Sequence, residues 1–220
     1  MSQKKRRTRY KKSRGCLFLL LAAVGIFCAV SFWPRAAYTN ADFGIADYVS
    51  QRDQDGDGVD DQTDLLEGAK AYVATNPHYR SAYYEGGYPD DGYGVCTDVV
   101  AQGMLAAGYD LRQLVDADIR AHPEDYGLET PDPNIDFRRV RNLAVYFAHT
   151  AVALTTDPAE IAEWQGGDIV IFARHIGVVS DRRNADGVPY LIHHSHPMQM
   201  EYEQDVLGDR SDIIGHYRVS

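Results

Sequence analysis

The spacing of apolar positions changes twice along the chain. Residues 15–33 contain no charged side chain, and that run is long enough to cross a bilayer, which takes roughly 17 to 25 apolar residues. Within 96–107, Val99, Val100, Met104, Leu105 and Ala107 fall at mixed spacings of three and four. This pattern predicts a mostly buried helix that begins at Cys96 and stops before Gly108. Further helices are expected over 65–73, 111–120 and 137–149, with a brief one in 36–52 carrying Phe43, Ala46, Tyr48 and Val49 on one face. After residue 166 the runs become short and β-rich, at 167–172, 175–179 and 190–194. They are joined by Ala173-Arg174 and by a turn at 184–187, and such connections favour antiparallel strands. Helices first and a meander of strands afterwards make an α+β domain.

Charge sets the orientation of this plan. Eight of the first fifteen residues are basic and none is acidic, so the positive-inside rule leaves everything after Pro34 outside the cytoplasm. The organisation expected is a basic tail (1–15), a transmembrane signal anchor (16–33), a juxtamembrane segment (34–52), an acidic loop (53–64) and one domain to residue 220 that starts near residue 63. A cleaved signal peptide competes with the anchor, but its apolar core is usually only about 7 to 15 residues long. Cys16 and Cys28 lie in the apolar run without a lipoprotein pattern and read as filler. Of 22 Lys and Arg, the tail takes eight and Arg35 borders the span, leaving 13 against 32 acids. An exported part so acidic excludes direct nucleic-acid binding, which needs basic patches, and permits bound divalent metal.

The acidic loop has a definite spacing. In Asp53-Gln54-Asp55-Gly56-Asp57-Gly58-Val59-Asp60-Asp61-Gln62-Thr63-Asp64, acids stand at positions 1, 3, 5, 9 and 12 and glycine at position 6. A hard cation takes six to eight oxygens, so alternate side chains curling around it suit calcium, with Gly58 allowing the sharp turn. The ligands expected are Asp53, Asp55, Asp57, the Val59 carbonyl, Asp61 and Asp64. Asp64 is also expected to start the following helix, with Glu67 completing a capping-box-like pattern. An Asp in place of the usual Glu at position 12, and the charged Asp60, make the loop more similar to dockerin or thrombospondin type 3 loops than to an EF-hand. The ion implied is structural. An acidic run can equally be a solvated linker.

Cys96 is the one cysteine beyond the apolar run. A thiol in the first turn of a helix faces free backbone N–H groups and the positive end of the helix dipole, which stabilise the thiolate. A strand histidine could pair with it as general base, and a polar group on the next strand could fix the imidazole tautomer. His175 and His193 stand in that order. Read singly, the cysteine could be a small core residue and each histidine a satisfied strand residue. His193-x-x-His196 lacks a second pair of zinc ligands.

Several blocks together resemble the bacterial domain-of-unknown-function family 1287 over roughly residues 63–218: Gly86-Gly87-Tyr88-Pro89, Gly94-Val95-Cys96-Thr97-Asp98-Val99, the run 133–143, Gly167-Asp168-Ile169-Val170, the run 175–183, and Gly215-His216-Tyr217-Arg218. That family resembles a branch of the NlpC/p60-type, papain-like cysteine peptidases. The resemblance implies a papain-like α+β fold with Cys96 as nucleophile, His175 as base and His193 as third residue. His194 stands where related sequences tend to have Asn, which leaves open which of the two histidines orients His175. Tyr88 is a candidate oxyanion donor. Arg138 reads first as structural and otherwise as a contact for a substrate carboxylate.

The function expected is a membrane-anchored extracytoplasmic cysteine amidase or endopeptidase acting on peptide amides of peptidoglycan, without a catalytic cofactor. A non-catalytic cell-wall or peptide-binding module on the same fold is one alternative. A thiol acyltransferase or thioesterase is another, since a thiol–imidazole pair also handles thioesters.

Overall fold

The computed structural model describes residues 37–219, and residues 37–220 form one compact unit. The basic tail and the proposed transmembrane run lie outside the described residues. Among the described residues, no helix is long and apolar enough to cross a membrane.

Five helices and eight strands make a mixed α+β domain. The helices are α1 (Asp61–Ala74), α2 (Cys96–Ala106), α3 (Leu111–Ala121), α4 (Pro123–Tyr126) and α5 (Val140–Thr150). The strands are β1 (His78–Tyr79), β2 (Tyr93–Gly94), β3 (Val152–Ala153), β4 (Ile169–Phe172), β5 (His175–Arg183), β6 (Pro189–Ile192), β7 (Glu203–Gln204) and β8 (Ile213–Arg218). Strands β3 to β8 form one antiparallel sheet in the order β3-β8-β4-β5-β6-β7, while β1 and β2 pair in parallel beside it.

Period-two alternation assigns the sheet its two faces. Ile169, Ile171, Ile176 and Val178 join the main core with Leu65, Ala69, Val99, Val100 and Met104 from α1 and α2. Val170, Phe172, Val179 and Leu191 close on Trp164 and Leu207 behind the sheet. Helices α1 and α2 cross very closely. A Cβ at Gly103 would stand 2.7 Å from the Leu65 carbonyl oxygen, so only glycine lets α2 approach α1 at that point.

Three expectations are corrected. Helix α1 begins at Asp61, because the Asp60 side chain caps it by accepting from the Gln62 and Thr63 N–H groups. The segment 36–52 forms a 3-10 turn at Asn40–Phe43 in place of an amphipathic helix, and Val49 is exposed. That segment also belongs to the domain: Tyr38 and Arg183 exchange backbone hydrogen bonds of 2.9 and 2.7 Å, and Asn40 Nδ2 donates to Gln165 Oε1 at 2.8 Å. Strand β8 is not expected from the sequence pattern, although it is paired on both sides, between β3 and β4. Its Gly215 interrupts the apolar pattern, and its His216 and Arg218 point to a buried carboxylate instead of carrying hydrophobic bulk. Asp168 accepts from Arg218 Nε and Nη2, both at 2.7 Å, and lies 2.9 Å from His216 Nε2.

Candidate active site

The site is built where the start of α2 meets the start of β5. The chain enters α2 from β2 through Val95, an extended residue at the N-cap. Asp98, at the third helical position, reaches back and accepts the Val95 N–H at 2.8 Å, one half of a capping box. The same carboxylate receives Arg138 Nε at 2.7 Å and Nη2 at 2.9 Å, and both side chains are buried. The third arm of Arg138 donates to the Ala82 carbonyl at 2.6 Å. Arg138 therefore ties Ala82, just before the Tyr- and Gly-rich stretch 83–94, to the first turn of α2, and its guanidinium is already committed before any substrate carboxylate arrives. Gly94 completes the approach, since a Cβ there would stand 2.0 Å from the Tyr72 hydroxyl.

Cys96 is the first residue of α2 and is only partly covered from solvent. Its surroundings are nevertheless dense: burial pushes the thiol up to about 11, against the backbone N–H groups of Ile176 and Thr97, which favour the thiolate. The expectation that the helix start would dominate is thereby overturned for the free protein. Loss of hydration outweighs the N–H groups and the helix dipole. Ile176 directly follows His175, so the thiol lies against the strand backbone that carries the histidine.

The two histidines meet through their rings. His175 Nε2 lies 2.8 Å from His193 Nδ1, with ring centroids 5.0 Å apart and the planes inclined by 77°. His193 Nε2 lies 2.8 Å from Gln204 Oε1 on β7. These contacts fix the protons. A carbonyl oxygen only accepts, so His193 carries its proton on Nε2 and offers a lone pair at Nδ1. His175 then donates from Nε2, and its Nδ1 is left as the free base. Burial comes first in lowering both rings, with further contributions from neighbouring positive charge such as Arg210; His175 falls to about 3 and His193 to about 4. At neutral pH the pair is a neutral thiol beside a neutral imidazole.

The remaining candidates separate from this group. His194 is buried edge-on between Tyr79 and Tyr202, with its Nδ1 unpartnered, and His193 is the residue that meets His175. Tyr88 gives its hydroxyl to Asp110 Oδ1 at 2.7 Å and packs on Phe137, so it serves the start of α3 and is no longer a candidate oxyanion donor. Gln204 escaped the sequence reading because β7 has only two residues and no apolar alternation.

The acidic loop forms a second, separate group. Asp53, Asp55 and Asp57 bring carboxylate oxygens within 4.8 Å of one another. Asp64 is raised to about 6, first by burial and then by the charges of Asp57, Asp55, Asp60 and Asp53. Unneutralised carboxylates around one point are what a hard divalent cation relieves, so these residues fit calcium. Asp61 is the departure: it accepts the Gln54 N–H at 2.7 Å and the Tyr109 hydroxyl, and so braces the loop from the helix side.

A family profile described as a domain of unknown function, DUF1287, matches residues 66–219. The chain belongs to that family. The uncharacterized protein YijF of Escherichia coli (strain K12) is 35% identical over 167 residues, which cover 70% of this chain and 80% of the relative. No solved structure matches the chain. Cys96, Asp98, Arg138, His175, His193 and Gln204 all fall within the DUF1287 span, whereas the acidic loop precedes it. The thiol site is thus part of the DUF1287 domain itself, and the loop lies just before the matched span.

Proposed function

We propose that the chain is a cysteine hydrolase on a papain-like, NlpC/p60-type domain, held outside the cytoplasm by residues 16–33 and cleaving peptide amides of the cell wall. The observation that carries this reading is the order of protons along Gln204, His193 and His175, which leaves Nδ1 unprotonated on a histidine whose strand backbone, at Ile176, meets the Cys96 thiol. In the reaction, Cys96 Sγ attacks the amide carbonyl while its proton passes to His175 Nδ1. The imidazolium is stabilised by His193 Nδ1, and it then protonates the departing amine nitrogen. Water, deprotonated by the same nitrogen, opens the thioester and regenerates the thiol. Backbone N–H groups at the start of α2 are the natural donors to the oxyanion. Pairing the neutral partners suits a buried site, because charge is separated only when substrate has displaced water.

The choice of substrate rests on the NlpC/p60 resemblance and on the export of a strongly acidic domain. For the acidic loop we propose structural calcium held by Asp53, Asp55, Asp57, the Val59 carbonyl and Asp64. It has no part in the chemistry.

The thiol held up near 11 favours a second reading, a wall-peptide binding module that keeps the fold without turnover. Digestion of purified muropeptides, read by mass spectrometry, separates the two. A hydrolase releases a new amine and a new carboxylate with wild-type protein and neither with Cys96→Ala. Unchanged muropeptides that nevertheless bind would establish the module.

A further inference from the structure

Away from the thiol, a further group of titratable side chains gathers where α3, α4 and α5 meet. Asp118 and His122 stand one turn apart at the end of α3, and His149 stands in the last turn of α5. Each can offer one donor atom such that the three lie within 4.8 Å of one another. His149 Nδ1 lies 2.7 Å from Asp118 Oδ2 and His122 Nε2 lies 4.0 Å from Asp118 Oδ1. The other face of His149 looks at α4, where Asp125 Oδ2 is 3.5 Å from Nε2. The Tyr126 hydroxyl donates to Asp118 and orients it from behind.

A histidine at a helix C-terminus is ordinarily turned to the last carbonyl groups, with which it interacts favourably. These two rings turn to each other, with centroids 5.0 Å apart at 63°, and to a shared carboxylate. Two imidazoles and a carboxylate, with a water as fourth ligand, are the donor set of a tetrahedral borderline cation. Neighbouring donors in such a shell stand about 3.3 Å apart when each bond is about 2.0 to 2.1 Å, and the separations here bracket that value. Calcium, which takes oxygen almost alone, is a poor match.

We propose that Asp118, His122 and His149 bind zinc, with water completing the shell, and that the ion clamps the ends of α3 and α5. Titration calorimetry of the full chain with zinc chloride tests this, together with the visible absorption of the cobalt-loaded protein. The expected result is one zinc per chain and a tetrahedral cobalt spectrum, both retained in Cys96→Ala. Because loss of an outer-shell partner alone typically weakens metal binding about 10- to 100-fold, His122→Gln and His149→Gln should each weaken zinc at least tenfold. His122 is the more exposed ring and touches Asp118 only at 4.0 Å, so its replacement tests the site without endangering the fold. Absence of binding by the wild type, or unchanged affinity in His122→Gln, would mean that the histidines only finish their helices. Zinc lost in Cys96→Ala and kept in His122→Gln would assign the metal to the thiol and overturn the proposal equally.

Discussion

The thiol site and the acidic loop treat charge in opposite ways. At the thiol, Cys96, His175 and His193 are packed so densely that all three are held neutral, the thiol pushed up and the rings pushed down. In the loop, Asp53, Asp55 and Asp57 are exposed and crowd their charges together. Desolvation governs the first region, whereas in the second mutual repulsion is added to it at Asp64. A region that excludes charge can create it transiently in a reaction, whereas a region that accumulates charge of one sign is suited to holding a counterion. The contrast also explains why the pairing of Asp98 with Arg138 matters: it is an ion pair in the dry region, and there each charge needs its partner.

The comparison breaks most decisively at the nucleophile. If the dry site is catalytic, Cys96→Ala and His175→Ala should each lower muropeptide cleavage by at least about a thousandfold. The double variant should lose little more, because residues acting as a unit are not additive. Additive losses, or a residual rate common to wild type and variants, would show that cleavage comes from elsewhere.

Next in size is the dry ion pair. Arg138→Met leaves Asp98 buried without its partner, and breaking such a pair costs about 3 to 5 kcal/mol. Denaturant unfolding should show an unfolding free energy lowered by that amount, with cleavage falling as the first turn of α2 loosens. A stability loss below about 1 kcal/mol would mean that Asp98 is not enclosed as its contacts indicate.

The same contrast decides what could be read from the sequence. The helix from Cys96 and the strands around His175 carry apolar periodicity, so the places of thiol and base were legible, as was the spacing of the acids. The proton order was not, because it depends on Gln204, two residues of edge strand with no pattern of their own. Nor was the protonation state of the thiol, since a helix start argues for the thiolate and only three-dimensional density shows burial winning. Strand β8 was hidden because its inward residues serve Asp168 through hydrogen bonds. Arg138 was read first as structural; its partner Asp98, 40 positions away, shows only in the fold.

For the charged region, calcium should stabilise the native chain by preferential binding, about 2.7 kcal/mol at a hundred times the dissociation constant. Thermal unfolding with calcium and with chelator measures it. The gain should vanish in Asp53→Asn/Asp55→Asn, while Asp61→Asn should lower stability with and without the ion, because Asp61 holds Gln54 and Tyr109. Identical midpoints with calcium and chelator would remove the ion from the loop.

The smallest effect sharpens the comparison furthest, because it reads repulsion directly. Asp64 is raised to about 6 in the folded chain, against about 3.9 in the unfolded one. A carboxyl raised on folding favours the native state while protonated. Its contribution is therefore fully present below about pH 4 and is lost as pH rises through about 6. In chelator, Asp64→Asn should equal wild type in stability near pH 4 and exceed it at pH 7.5, by no more than about 1 kcal/mol after screening at the surface. High salt should shrink the difference. Calcium should invert it, since the cation turns three of the repelling neighbours, Asp53, Asp55 and Asp57, into fellow ligands and makes the ionised Asp64 an asset. If Asp64→Asn were neutral at pH 7.5 in chelator and in calcium alike, the loop carboxylates would be too well hydrated to sense one another. The opposition between a charge-excluding cleft and a charge-storing loop would then hold only for the cleft.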